Sequence, residues 1–334
     1  MAGKKPEVKS EAKRPEIKNE VKKAENKNTN SKPGKNYHLD IPFKTTGNFH
    51  VKGAANLDWG MKKHLTNIFN PKSGNSLIFN FEHGYYMGPV SGLERLDLLI
   101  PQIIDHVDVL MAARGALRTC VRPNFRKGIA LRVSAGSAII NEDLSHELVS
   151  VEIEDAIRMN ADCMAVQIFI GANGQLASIN NLSRVINAGY HFSIPTLGVI
   201  AVGKNVECTS QYFRMATRIA AELGANIVKT FYCNGFEEIV AACPVPIIAA
   251  GGKKLEEKDA IIFAFKSIQS GARGLDMGRN IFQSSHPVIM ADSIFKIVHH
   301  KYTAKEAWEY FCDKTKTGKG KPDNVTEVSI DLND

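Results

Sequence analysis

The chain has 334 residues, 44% of them hydrophobic, and a formal net charge of +7 at pH 7, which is enough apolar sequence for one large domain. Residues 1–37 carry eleven Lys and Arg against five Glu, so most of the net positive charge lies there and the remainder is nearly neutral. A basic tail beside a neutral domain gives no reason to expect a nucleic-acid partner, and the lack of a long uncharged run predicts a soluble protein.

The first 37 residues contain a near-repeat, PEVKSEAKR followed by PEIKNEVKK, and then a stretch rich in Asn, Lys and Ser. Such a segment buries too little apolar surface to offset the entropy lost on ordering. We predict a disordered basic tail over 1–37, which either stays solvated or docks on a partner. A polar tail is also predicted over 314–334, which leaves 38–313 for one folded domain.

Between the tails, eight short apolar runs alternate with segments of helical periodicity. This alternation is typical of a parallel sheet covered by helices, and eight strands close a (β/α)8 barrel, also called a TIM barrel. An open doubly wound sheet is the alternative, but no GxGxxG follows the first run. The predicted strands are Ser76–Phe81, Val107–Arg114, Ile129–Val133, Cys163–Ile170, Thr196–Val202, Asn226–Phe231, Val245–Ala250 and Gly274–Gly278. The predicted helices are Leu93–Ile104, Ser150–Ala161, Ile179–Ala188, Gln211–Leu223, Phe236–Ala242 and Glu256–Gln269.

Lys229 is the most informative polar residue in these runs, because it lies inside the apolar segment ANIVKTFY. The active site of such a barrel forms at the carboxyl ends of the strands. Burial would disfavour the ammonium and leave more of the neutral amine, the form that attacks a carbonyl group. We therefore predict that Lys229 is an imine-forming nucleophile. The alternative is a lysine paired with a carboxylate on a neighbouring strand.

Two glycine-bearing turns, AAGGKK and DMGRNIF, follow the seventh and eighth predicted strands. Barrels of this class frequently bind a phosphate at these two strand ends, through backbone N–H groups and a helix N-terminus. Gly251, Gly252 and Gly278 are therefore candidate phosphate-binding residues. Arg279 is predicted to add a charge-assisted contact.

Four further polar residues occupy strand ends or late strand positions: Glu82, His83, Arg132 and Gln167. His83 is a candidate acid or base, since an unperturbed histidine titrates near neutral pH, and Glu82 is a candidate partner of the lysine. A hydrogen-bonded structural histidine is an equally good interpretation. Arg132 and Gln167 are predicted to contact the substrate, with a salt bridge inside the barrel as the alternative for Arg132.

Six cysteines are scattered without a CxxC pair or zinc-type spacing. Reduced cysteines in apolar runs behave as small hydrophobic residues. Because the N-terminus also lacks the apolar core of a signal peptide, we expect a cytoplasmic protein. No cluster of metal-ligating residues is visible, so neither a metal nor a permanently bound cofactor is expected.

Several long motifs resemble one enzyme family. From about Ile41 to Phe311 the chain resembles the class I aldolases, which include archaeal-type fructose-bisphosphate aldolase and deoxyribose-phosphate aldolase. Within that group the motifs are most similar to those of the bacterial thiolases that degrade phosphorylated autoinducer-2. The motifs are NLDWGMKKHLTNIFNPKSG, GPVSGLERLD, ATRIAAELGANIVKTFY, CPVPIIAAGGKK and GARGLDMGRNIFQSSHPV.

The resemblance implies that Lys229 is the Schiff-base lysine and that the two glycine turns hold the phosphate of a phosphorylated 2,4-diketone. It further implies cleavage of the carbon chain with transfer of an acetyl group to coenzyme A as co-substrate. A ring-shaped homo-oligomer is also expected from the resemblance.

Two positions depart from the family pattern. Glu82 stands where an aspartate is usual, and Phe169 stands where a tyrosine proton donor is usual. A phenylalanine cannot donate a proton, so Tyr232, Tyr85 and His83 are candidate replacements.

Two alternative functions stay open from the sequence. One is retro-aldol cleavage of a ketose phosphate such as fructose 1,6-bisphosphate. The other is a non-catalytic barrel that binds a sugar phosphate and is recruited to a partner by its basic tail; the two departures motivate it, whereas Lys229 and the glycine turns argue against it.

Overall fold

The computed structural model describes residues 49–203 and 206–316. Each strand of the sheet is an apolar run with almost every residue buried, as in β1, because helices cover one face and the barrel interior the other. The strands are Ser76–Asn80 (β1), Val109–Ala113 (β2), Gly128–Arg132 (β3), Ser134–Ala135 (β4), Leu148–Val149 (β5), Cys163–Ile168 (β6), Thr196–Ile200 (β7), Ile227–Phe231 (β8), Ile247–Ala250 (β9) and Gly274–Met277 (β10).

Eight of these strands form a closed parallel barrel in the order β1-β10-β9-β8-β7-β6-β3-β2. The predicted (β/α)8 barrel and all eight predicted strands are therefore confirmed. The two short strands β4 and β5 pair antiparallel to each other. They begin and end an excursion of the chain over the carboxyl end of the barrel, between β3 and the next helix.

Twelve α-helices are present in the described part of the chain, and the six predicted helices each overlap one of them. The last helix ends at Lys316, so residues 314–316 belong to it; the predicted tails over 1–37 and beyond Lys316 lie outside the described residues. No helix within the described ranges is long and apolar enough to cross a membrane. The helices are Trp59–Ile68 (α1), Gly84–Met87 (α2), Leu96–Ile103 (α3), Arg114–Cys120 (α4), Ile153–Arg158 (α5), Gln175–Phe192 (α6), Ser210–Glu222 (α7), Phe236–Ala242 (α8), Glu257–Gln269 (α9), Arg279–Phe282 (α10), Pro287–His300 (α11) and Ala304–Lys316 (α12).

Helix α1 closes the amino-terminal end of the barrel. Its N-cap residue Asp58 accepts a hydrogen bond from the N–H of Met61 at 3.0 Å, which fixes where the helix begins. Leu65 and Ile68 are fully buried and pack against inward-facing strand residues such as Ile78. A second apolar layer fills the space between the strands and the outer helices. The polar side chains that line a cavity inside the barrel, among them Lys229 and Asp276, lie at its carboxyl end.

Candidate active site

The carboxyl ends of the barrel strands surround a cavity of about 270 Å³. Eight of the nine site residues predicted from the sequence line this cavity, and the exception is Arg132. The eight are Glu82, His83, Gln167, Lys229, Gly251, Gly252, Gly278 and Arg279.

Lys229 and Asp276 form a buried ion pair at this cavity. Lys229 on β8 is only 8% exposed, and its Nζ lies 2.9 Å from Oδ2 of Asp276 on β10. Burial raises the pKa of Asp276, and the Lys229 ammonium opposes that shift. The sequence-based argument about burial alone is incomplete, because it misses Asp276, a carboxylate inside the apolar run GLDMG. Asp276 is placed to accept the lysine proton when the amine attacks a carbonyl group.

His83 stands beside this pair as a neutral imidazole. Burial lowers its pKa to about 4, the positive charges of Lys229 and Arg279 act in the same direction, and Glu82 opposes them. Its Nδ1 atom is buried with no hydrogen-bond partner among the described residues. A Cβ atom at Gly278 would lie only 2.8 Å from Cε1 of His83, so a glycine is needed for this approach. At pH 7 the imidazole can accept a proton or orient a substrate oxygen.

The two glycine turns are joined by Asn280, which sequence reasoning missed. Its buried Nδ2 donates to the carbonyl oxygens of Gly251 at 2.8 Å and Lys253 at 3.1 Å, and its Oδ1 accepts from the N–H of Leu255 at 2.7 Å. Gly252 has φ +69°, a conformation that favours glycine. The turns after β9 and β10 therefore form one rigid unit.

Arg279 gives this unit its positive charge. It is the first residue of α10, with Gly278 as the N-cap, so backbone N–H groups at the helix start lack intrahelical acceptors. Within the described residues, the buried Nε atom of Arg279 has no hydrogen-bond partner. An unpaired cationic donor beside free backbone N–H groups suits a bound phosphate.

Arg132 was predicted to contact the substrate, but it lies behind the cavity lining rather than in it. Only 2% of the residue is exposed, and its Nη2 donates to Glu147 at 2.8 Å, Tyr85 at 2.6 Å and Gln167 at 2.6 Å. Its Nη1 donates to Glu82 at 3.3 Å. Arg132 therefore forms salt bridges inside the barrel, which was the alternative prediction for this residue. Its hydrogen bonds position the side chains of Gln167 and Glu82 toward the cavity.

The candidate replacements for the missing tyrosine differ in position. Phe169 lines the cavity, as expected for the departure from the family pattern. Tyr232 packs against Phe236 with tilted rings whose centroids lie 5.1 Å apart, and it is not among the described residues that line the cavity. Tyr85 lines the cavity but is bound in the arginine network. Tyr86, which sequence reasoning missed, also lines the cavity, and burial raises its pKa.

Metal-binding and thiol groups do not add to this cavity. In the parts of the chain that the structure describes, no group of three or more His, Cys, Asp and Glu side chains is arranged to hold a metal ion. The six cysteines are free thiols, and none of them lines the cavity. The site therefore offers an amine with a carboxylate partner, a neutral imidazole and an arginine at a glycine-rich turn.

Comparison with known proteins gives consistent matches. A sequence model of the DeoC/LacD family of aldolases matches residues 78–284. An uncharacterized aldolase of Pasteurella multocida is 46% identical over 284 residues, which covers 85% of this chain and 97% of the relative. The 3-hydroxy-5-phosphonooxypentane-2,4-dione thiolase of Escherichia coli K12 is 46% identical over 281 residues, 84% of this chain and 96% of the relative. A solved Schiff base-forming fructose-1,6-bisphosphate aldolase has a TM-score of 0.65 at 22% identity, covering 72% of this chain and all of that one, which supports the fold.

Proposed function

This chain belongs to the DeoC/LacD family of aldolases, and we propose that it is an imine-forming thiolase for a phosphorylated 2,4-diketone. The substrate would be 3-hydroxy-5-phosphonooxypentane-2,4-dione, the compound in the name of relatives 46–47% identical to it. Coenzyme A would be the acetyl acceptor. The observation that carries the proposal is the buried Lys229–Asp276 pair in the same small cavity as Arg279.

The first step joins the substrate to Lys229. Arg279 and the glycine turns hold the phosphate, which brings the adjacent carbonyl carbon, C4, to Nζ of Lys229. Asp276 accepts the proton that the ammonium must lose before attack. Loss of water then gives a protonated imine at C4. Tyr86 and His83 are the groups in the cavity wall that can exchange protons with the departing oxygen.

The second step breaks the carbon chain. A thiol sulfur adds to the acetyl carbon, C2, and the C2–C3 bond breaks, with its electron pair moving into the C4 imine to give an enamine. The proton lost by the thiol returns to C3, and hydrolysis of the imine restores the lysine and consumes one water, which balances the water released when the imine formed. The products are an acetyl thioester and dihydroxyacetone phosphate, with no net oxidation or reduction.

An assay of both products tests this function. The purified protein is incubated with the phosphorylated diketone and coenzyme A, and acetyl-CoA and triose phosphate are measured over time. Equal amounts of both products that depend on coenzyme A are expected. If the protein instead releases triose phosphate from fructose 1,6-bisphosphate without coenzyme A, the retro-aldol alternative is correct. Phosphate-ligand binding without turnover of either compound would favour the non-catalytic barrel.

We further propose that the protein forms a homo-oligomer in a reducing compartment such as the cytoplasm. Several large apolar side chains of the described residues are exposed, among them Trp59 at 78%, Ile140 at 89% and Leu176 at 81%. Such side chains would be covered if they lay in an interface between copies of this chain. Light scattering of the purified protein measures the assembly, and a monomer at micromolar concentration would contradict the proposal.

The physiological role that follows from the substrate is degradation of phosphorylated autoinducer-2.

A further inference from the structure

A second cavity adjoins the active site. It has a volume of about 360 Å³, and Leu144, Phe169 and Val202 line both cavities. The other walls come from the chain excursion between β4 and β5 and from the loops after β6 and β7. These three residues therefore lie where the two spaces meet.

The position of this cavity matches the linear order of the proposed substrate. In the eight-stranded ring, β6 lies four strands from β10 and therefore opposite it, while β8, which carries Lys229, lies between them. The phosphate turns follow β9 and β10. A substrate with its phosphate at Arg279 and its C4 atom at Lys229 therefore directs its acetyl end toward the β6–β7 side. The thiol must reach the acetyl carbon from this side.

Hydrogen bonds within the protein fix the walls of the second cavity without a ligand. The N–H of Gly174 donates to Oγ of Ser145 at 2.8 Å, and a Cβ atom at Gly174 would lie 2.0 Å from the carbonyl oxygen of Ser145. The N–H of Ser145 in turn donates to Asp143 at 2.8 Å, and the amide of Asn173 donates to the same carboxylate at 3.2 Å. The excursion is thus fixed against the loop after β6.

The second cavity is lined by apolar and polar groups in nearly equal parts, and two of its described lining residues are acidic. Ala172 and Val206 form the walls together with Gly171, so a narrow uncharged chain fits there. Glu142 and Asp143 lie at the rim. Hydrogen bonds from Ser145 lower the pKa of Asp143, so its carboxylate is charged at neutral pH. A ligand with negative charge at the acetyl-transfer end would be disfavoured here.

We propose that this second cavity is the binding site for the thiol arm of the acyl acceptor. The ligand class is an uncharged, amide-bearing thiol chain such as the pantetheine arm of coenzyme A, with the nucleotide phosphates lying outside the acidic rim. The active-site cavity is smaller, at about 270 Å³, and is already assigned to the diketone. This inference rests on the proposed thiolase function.

The substitution Ala172→Trp tests the proposal by filling the cavity from its wall. The expected result is at least a tenfold higher KM for coenzyme A, with unchanged borohydride trapping of the phosphorylated diketone on Lys229. Ala177→Trp is the matched control, because Ala177 is exposed on the neighbouring helix α6 and does not line the cavity; its KM should equal that of the wild type. Circular dichroism establishes that both variants fold.

Three outcomes overturn the proposal. The first is an unchanged KM for coenzyme A in a folded Ala172→Trp variant that still makes acetyl-CoA. The second is loss of trapping in that variant, which would assign the cavity to the diketone. The third is absence of coenzyme A binding to the borohydride-reduced wild type by calorimetry. Failure of the thiolase function itself is distinguishable, because the wild type then traps substrate or cleaves ketose phosphate without making any thioester.

The acidic rim supplies a second readout. Glu142→Gln removes a negative charge that repels phosphates, so the KM for coenzyme A should fall a few-fold at low salt. The KM for pantetheine, which has no phosphate, should not change. An equal effect on both thiols would contradict the placement of the nucleotide outside the rim.

Discussion

The two ends of the barrel differ in whether their buried ionisable groups have hydrogen-bond partners. At the amino-terminal end, the buried carboxylate of Asp162 contacts His64 at 3.1 Å and accepts from Asn67 at 2.6 Å and from the N–H of Ile129 at 2.9 Å. At the carboxyl end, His83 Nδ1 and Arg279 Nε are buried without a partner in the described part of the chain. Asn75, Ser76 and Thr196 at the amino-terminal end also have buried oxygens that are unpaired among the described residues, but these are neutral amide and hydroxyl groups. Buried ionisable groups are normally paired, so the unpaired ones at the carboxyl end indicate where a ligand binds.

If the two ends are compared by cavity volume instead, the amino-terminal end comes first. An open groove of about 740 Å³ at the amino-terminal end, lined by Asp162 and Asp108 among others, is larger than the active-site cavity. Asp108 in this groove is also satisfied, by the N–H of Leu77 at 2.7 Å and by His299 at 2.8 Å. Unpaired ionisable groups therefore identify the chemistry better than cavity volume, and the two ends should respond differently to substitution.

The largest effect is expected from Lys229→Ala at the carboxyl end. Removing the nucleophile should lower turnover of the phosphorylated diketone by at least ~10³-fold, because Lys229 is the only amine among the described residues that line the cavity. Initial rates of acetyl-CoA formation measure the loss. Lys258→Ala, at an exposed position on α9, is the control and should keep the wild-type rate. Substantial activity in the Lys229 variant would remove the basis of the proposed mechanism.

A large effect on stability without loss of catalysis is expected from Asp162→Ala at the amino-terminal end. The change leaves the N–H of Ile129 and the side chains of His64 and Asn67 without their acceptor, which should cost about 3 kcal/mol of unfolding free energy. Urea unfolding measures this cost, and kcat/KM should stay within about twofold of wild type. Asp105→Ala, at an exposed position of the same end, should change stability by less than about 0.5 kcal/mol.

An intermediate effect that depends on the substrate is expected from Arg279→Gln. Loss of a charge-assisted hydrogen bond should lower kcat/KM for the phosphorylated diketone roughly 10- to 100-fold. The ratio of kcat/KM for the phosphorylated and dephosphorylated compounds should fall by the same factor. Arg158→Gln, far from the site at the amino-terminal groove, should leave that ratio unchanged. A uniform loss on both compounds would mean that Arg279 does not bind the phosphate.

The smallest effect is a pH dependence of stability from His83. Above pH 6.5 the imidazole is neutral in both states, whereas between pH 6.5 and about 4 only the unfolded chain is protonated. Because the unfolded state then binds more protons, stability falls as the pH falls, by about 2 kcal/mol between pH 7 and pH 5. Urea unfolding of wild type and His83→Gln at both pH values measures how much His83 contributes to the pH dependence of the unfolding free energy. An identical pH dependence in the two proteins would show that His83 is not held neutral by the fold.

Much of the fold and the centre of the site could be predicted from the sequence. The strands are continuous apolar runs, so their number and the exceptional position of Lys229 are visible without tertiary information. The glycine turns could be predicted because they follow strands seven and eight. The resemblance to class I aldolases is confirmed by the family match and by relatives at 46–47% identity.

The parts of the site that the sequence did not reveal depend on contacts across the barrel. Asp276 is polar within an apolar strand, a signal that was present, but its partner lies two strands away in the ring. Glu147 reaches the site only because the excursion between β4 and β5 folds back over the barrel. Arg132 was predicted to contact the substrate because it lies late in a strand. Its guanidinium instead donates hydrogen bonds to neighbouring side chains, which sequence periodicity does not reveal.

The central claim is that the unpaired groups at the carboxyl end hold a phosphorylated carbonyl compound on Lys229. Borohydride reduction of the wild-type protein with the phosphorylated diketone, followed by mass spectrometry of the peptide that contains Lys229, tests it directly. The account predicts a substrate-dependent adduct on Lys229 that is absent in Lys229→Ala. Binding of the diketone, measured independently, without any adduct on Lys229 would contradict it.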